Sequence, residues 1–165
     1  MGVDSDVMPG TSPDFEIRAA SPRDAESLAL LRSAMFRELG RVSPMPGDQF
    51  EMASAAAFRA RMEAGSCWAW LAETAQEPIG STALLVFPRL PSPESAVLFE
   101  GYLLNVYTVA EWRRRGVAQA LVAAAVARAR ELGLARVRLH TSPEGEPLYG
   151  AAGFRFRDDE MELEL

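Results

Sequence analysis

The sequence predicts a mixed α/β protein: one central sheet of six to seven strands, flanked by about four helices. Two observations carry this reading. Hydrophobic periodicity changes along the chain in the order strand, two helices, three strands, helix, strand, helix, and one or two further strands. In addition, "VLFEGYLLNVYTV" is too apolar for an edge strand, which places it in the sheet interior.

Taken in order, residues 1–13 offer little to bury against the entropy of ordering them and read as a disordered lead-in to a single domain spanning 14–165. In "FEIRAA", Phe15 and Ile17 alternate with Glu16 and Arg18 as in a half-buried strand. "SPRDAESLALLRSAMFRELG" follows, with Ser21 as cap and Pro22 at the first helical position; Leu28, Leu31, Met35 and Leu39 share a face and Gly40 stops the helix. The proline-broken "RVSPMPGD" leads to a second helix over about 49–64. "CWAWLAET" and "IGSTALLVF", separated by "AQEP", form a hairpin, and the loop "PRLPSPESA" precedes the central strand. A helix over about 117–132, the strand "RVRLH", a short helix "EPLYGAA" and an alternating "FRFRDDEMELEL" hairpin complete the pattern.

Composition excludes several function classes. With 165 residues and a net charge of −6, the chain lacks the basic surface that general nucleic-acid binding requires. Neither a membrane span nor a signal peptide is expected, so a cytoplasmic location is. Cys67 and His140 are single residues of their types, which rules out an internal disulfide and a cysteine-rich zinc site; no metal is expected. All basic side chains are arginines.

Three of those arginines sit where a strand turns into an alanine-rich helix, in "YTVAEWRRRGVAQALV". A helix N-terminus offers unpaired N–H groups and partial positive charge, a ready site for an anion such as a diphosphate. A Walker loop is excluded because there is no lysine, and the dinucleotide fingerprint because the turn has one glycine. What remains is arginine-x-x-glycine-x-alanine over residues 113–118.

This segment resembles the acetyl-coenzyme A signature of the GNAT family of N-acetyltransferases, and "EPLYGAAGFRF" resembles the same family's second signature, a tyrosine four residues before glycine-phenylalanine. The resemblance implies a GNAT fold, its mixed sheet mostly antiparallel with a splay between central strands, and acetyl-CoA bound there as cosubstrate. Backbone groups of Tyr107, Thr108 and Val109 would pair with the pantetheine arm, and Arg114, Arg115, Gly116, Val117, Ala118 and Gln119 would hold the diphosphate. Among the side chains of Arg113, Arg114 and Arg115, one is a candidate for the 3′-phosphate and at least two for solvent. Tyr149 matches the family's general acid: a phenol with pKa about 10 is protonated at neutral pH and can serve a leaving thiolate.

The implied activity is transfer of acetyl directly to a primary amine; the alternative is a catalytically silent coenzyme A-binding sensor. At pH 7 only about one alkylamine in a few thousand is neutral, a deficit of roughly 4 to 5 kcal/mol. Glu100 and Tyr102, two apart on the central strand, face one side and are candidate bases; His140 and a water chain are others. Ser142 stands where many relatives have an asparagine, and either contacts the cofactor or caps the short helix. The amine-bearing acceptor should meet the first two helices and "SPMPGD", with Met35, Phe36 and Glu38 as candidates, Glu38 for a cationic amine and Met35 also as a core residue. An acetyl-cysteine route through Cys67 lacks an activating base. Many relatives pair through C-terminal strands, so a homodimer is possible by resemblance, though "EMELEL" could equally be a charged edge.

Overall fold

The computed structural model describes residues 14–41, 43–46, 48–157 and 161–164; the lead-in at 1–13 lies outside the described residues. In chain order the elements are β1 (Glu16–Ala19), α1 (Ala25–Glu38), α2 (Gln49–Glu63), β2 (Cys67–Glu73), β3 (Pro78–Pro88), β4 (Phe99–Thr108), α3 (Val117–Glu131), β5 (Val137–Arg138) and α4 (Glu146–Ala151). One sheet in the order β1-β2-β3-β4-β5 results, antiparallel except for the parallel β4–β5 pair.

The described residues form five strands where six to seven are expected, and the difference lies at the C-terminal end. Residues 154–157 and 161–164 form no strand, while 158–160 and Leu165 lie outside the described residues. The reason is burial: Phe156, Met161 and Leu163 are largely exposed, so the alternating pattern has no core to face. Entry into α1 also differs. Pro22–Asp24 form a 3₁₀ turn first, in which Ser21 donates its backbone N–H to the Asp24 carboxylate at 2.7 Å. Leu39 lies beyond α1 and is exposed, whereas Leu28 and Leu31 are buried. Gly40 closes α1 in a left-handed conformation, with Arg41 N–H bonded to Phe36 O at 2.9 Å, as in a Schellman stop.

Period-2 alternation divides the apolar residues between the two faces of the sheet. Cys67, Ala69, Leu71 and Ala83 face Leu28 and Leu31 of α1 and Phe58 of α2. Trp70, Ala72, Ile79 and Leu84 face Val117, Leu121 and Val122 of α3. Gly80 permits the close seating of α3, because a Cβ there would come within 2.7 Å of Tyr107 O and 3.2 Å of Val117 Cγ1.

Two irregularities in β4 shape the site. Its ladder to β5 consists of Gly101↔Val137 and Tyr102↔Arg138, and among the described residues no pair continues it, so the strands splay. Its ladder to β3 breaks between Ser81 and Ala83, opposite Asn105, which takes φ 55°. This β-bulge lets Leu104 and Tyr107 share the α1 face, while Leu103 and Val106 share the α3 face.

Candidate active site

After β4, a 3₁₀ turn (Ala110–Trp112) leads to the arginine turn. Arg114 and Gly116 both have left-handed backbone, φ 63° and 84°. For a non-glycine residue that conformation costs on the order of 1 to 2 kcal/mol, a strain that collects at functional sites. A Cβ on Gly116 would meet nothing within 4 Å, so the face of the turn is open. Gly116 caps α3 and accepts the first helical bond, from Ala120 at 3.0 Å. The N–H groups of Val117, Ala118 and Gln119 therefore lack intrahelical acceptors.

The arginine side chains divide as the residue pattern allows. All three are exposed. Arg115 lies over the Trp112 ring at 4.9 Å, and Arg113 donates from Nε to the Thr108 carbonyl at 3.0 Å while pairing with Glu38. Arg114, exposed like its neighbours, is the one of the three with neither an ion pair nor a ring contact among the described residues. Of the three backbone positions expected beside pantetheine, Val109 gives its N–H to Ile79 O at 2.9 Å and the Thr108 carbonyl is taken by Arg113.

Glu38, although exposed, is already engaged by two side chains. It accepts from the Tyr107 hydroxyl at 2.6 Å and from Arg113, and these hold its carboxyl below the usual range, Tyr107 contributing most. Glu100 is likewise engaged. Buried at 4% exposure, it receives Arg136 Nε at 2.6 Å and Arg138, with Arg89 at 3.8 Å. Burial pushes its pKa up, but these guanidinium groups outweigh it and hold the carboxyl below its ordinary value, which suits an ion cluster better than a general base. Tyr102, on the same strand, hydrogen-bonds His140 Nδ1 across the β4–β5 splay.

Tyr149 lies on α4, half-buried against Phe154 with ring centroids 5.9 Å apart. Burial raises its pKa, so the phenol keeps its proton at neutral pH. Ser142 does not cap α4: Gly145 occupies that position, and the Ser142 carbonyl closes a turn by accepting Gly145 N–H at 3.0 Å. The serine hydroxyl, after the backbone N–H of Glu144 itself, helps hold the Glu144 carboxyl below its ordinary value.

Between α1 and α2 lies a groove of about 640 Å³ lined by residues that include Phe36 and, from the "SPMPGD" segment, Ser43, Pro44 and Met45. Gly47 of that segment lies outside the described residues. Met35 packs instead against the α1-face core, as its helical spacing allowed. Two neighbours of this groove were not singled out from sequence, Arg32 and Asn105, joined by a hydrogen bond from Arg32 to Asn105 Oδ1. Each carries a local signal: an arginine within the apolar stripe of a helix, and one polar residue within "YLLNVYT".

Comparison with known proteins matches this geometry to a family. The profile of the acetyltransferase (GNAT) family matches residues 32–154. A GCN5-related N-acetyltransferase from Ralstonia eutropha JMP134 is 32% identical, with 92% of this chain and 98% of that one covered and a TM-score of 0.75. Two structures of lower identity share the fold. A predicted acetyltransferase from Clostridium acetobutylicum, solved with acetyl-CoA, has a TM-score of 0.82 at 23% identity, covering 91% and 96%. An aminoglycoside N-acetyltransferase in complex with CoA has 0.70 at 19%, covering 92% and 94%. No curated protein matches significantly by sequence. The chain belongs to the GNAT acetyltransferase family. No described helix is long and apolar enough to cross a membrane.

Proposed function

We propose that the protein transfers the acetyl group of acetyl-CoA directly to a primary amine. The observation that carries this is the meeting of an open strand edge, β4 beyond Tyr102, with the uncovered left-handed turn that starts α3. An extended arm ending in a diphosphate fits that combination: the strand offers backbone groups to the arm, and the N–H groups of Gly116, Val117, Ala118 and Gln119 offer donors to the diphosphate. Acetyl-CoA supplies an activated thioester carbonyl and a thiol leaving group.

The chain's own residues would then supply orientation and proton management. Tyr149 holds a proton for the departing sulfur, and its raised pKa keeps that proton available. The acceptor must lose a proton before it attacks. With Glu100 engaged by arginines, the Tyr102–His140 pair is the better acceptor, its imidazole being the group able to take the proton up. Cys67, with its thiol pushed up to about 11 by burial, supports direct transfer over an acyl-cysteine route.

Calorimetric titration with acetyl-CoA tests the reading, followed by thiol release across an amine panel. Gly116→Val should weaken acetyl-CoA binding at least tenfold, and Tyr149→Phe should lower kcat about 100-fold while binding is retained. Failure of the folded wild-type protein to bind acetyl-CoA would overturn the assignment. Binding without thiol release for any amine would make the protein a silent coenzyme A sensor.

A further inference from the structure

The groove between α1 and α2 has an unusual charge arrangement. Its lining includes Arg32, Arg37 and Arg41 against the single carboxylate of Glu51. Arg37 leans toward Glu51 at 3.6 Å. Arg32, by contrast, has no carboxylate within ion-pair distance among the described residues. It is half-buried, its guanidinium 4.6 Å from the Phe36 ring centroid and 5.9 Å from that of Phe50. Among the described residues it donates a hydrogen bond to the neutral Asn105 side chain, whose Nδ2 is itself buried without a partner there.

Among the described residues the other part-buried arginines, Arg18, Arg59, Arg89, Arg128 and Arg138, all pair with carboxylates, in a chain with 23 acidic residues for 17 basic ones. Arg18 binds two carboxylates, and Arg89, Arg136 and Arg138 surround Glu100. A partly desolvated cation left without a counter-charge is costly, and burial alone lowers the Arg32 pKa with nothing to oppose it. An arginine fork matches planar carboxylate and phosphate oxygens.

We infer that the acceptor amine also carries an oxyanion, a carboxylate or a phosphate, that pairs with Arg32 in this groove. The inference rests on the transferase reading above. Asn105 forms the β4 bulge, just before the stretch of strand expected to hold pantetheine, so an oxyanion on Arg32 keeps the attached amine beside the open edge. The same charges oppose polycationic acceptors, although the whole chain is acidic. Glu38, the residue suited by sequence to an ammonium group, is bound to Tyr107 and Arg113.

The test uses the twenty amino acids, their carboxamides and 2-aminoethyl phosphate with the acetyl-CoA-loaded protein. Thiol release gives kcat and KM, and calorimetry with CoA-loaded protein gives binding of the same probes whether or not turnover occurs. At least one carboxylate or phosphate probe should be preferred over its uncharged or polycationic counterparts. Arg32→Gln should raise its KM and Kd about 10- to 100-fold with kcat and acetyl-CoA affinity nearly unchanged, and Arg32→Lys should recover part of the loss. Preference for 2-aminoethyl phosphate selects phosphate; preference for an amino acid selects carboxylate. Equal use of acids and carboxamides, or no binding of any anionic probe, overturns the inference while leaving acetyl transfer intact. If no amine is acetylated, transfer itself fails, and Arg32-dependent binding of an anionic probe would still support the oxyanion site. Should Arg32→Gln not fold, Arg32→Lys and Arg41→Gln carry the comparison, each expected to weaken the anionic probe severalfold and leave its carboxamide unaffected.

Discussion

Tyr107 donates its phenol to Glu38 at 2.6 Å, and the same carboxylate holds Arg113, so the last turn of α1, the end of β4 and the arginine turn are joined through three side chains. Burial, then the bond to the ionised Glu38, pushes the Tyr107 phenol up to about 12. A raised pKa means this contribution to stability is complete below the ordinary tyrosine value near 10 and lost as pH rises through about 12. Ultraviolet titration of the phenols should show late ionisation at Tyr107 in addition to the raised Tyr149, and the Tyr107 component should disappear in Tyr107→Phe and move lower in Glu38→Gln.

Acid stability should depend on Asp24. Arg18 binds it at 2.7 Å and Glu73 at 2.8 Å, tying β1, the turn before α1 and the end of β2 together. The Arg18 hydrogen bond, opposed by burial and helped by Ser21, holds the Asp24 carboxyl well below the usual carboxylate range. A depressed pKa stabilises above the unfolded value near 4 and loses that stability as pH falls toward the folded one. Asp24→Asn should cost about 1 to 2 kcal/mol in urea unfolding at neutral pH, less after discounting for solvent around the partly exposed Arg18, and the gap should close in acid.

Gly80→Ala tests the seating of α3. The added carbon would meet a backbone oxygen, which cannot swing aside, so a loss of about 1 to 3 kcal/mol is expected. Weakened acetyl-CoA binding should accompany it, because Tyr107 O and Val117 are the atoms displaced.

Cys67 should be inert in the folded protein. It is 4% exposed and its thiol is pushed up to about 11. Ellman's reagent should react slowly at pH 8 and rapidly once denaturant is added; fast labelling of the native protein would contradict its burial.

Local pattern revealed most elements because period and stop signals are local. The second helix, read over about 49–64, is Gln49–Glu63, and the third, read over about 117–132, is Val117–Glu131. Gly40 marked the stop of the first helix correctly. Pairing across the chain was not legible: Glu38 meets Arg113 75 positions away, and Glu100 meets Arg136 36 away, contacts that only the folded topology brings together. The closing alternation misled because it lacked a surface to cover. Arg32 was legible only as an anomaly in an apolar stripe, and its meaning depended on the missing carboxylate.

The bulge at Asn105 makes the length of β4 as consequential as its composition. One surplus residue shifts the strand's parity, so Leu104 and Tyr107, three apart, point the same way. Deleting Asn105 would leave a regular ladder, with Val106 opposite Thr82 and Tyr107 still opposite Ser81, so both faces would be kept and Tyr107 would stay on Glu38, while the anchor that Asn105 gives Arg32 would go. The surplus residue therefore serves the groove and not the sheet: the strand's alternation could spare it, and the position of Arg32 could not.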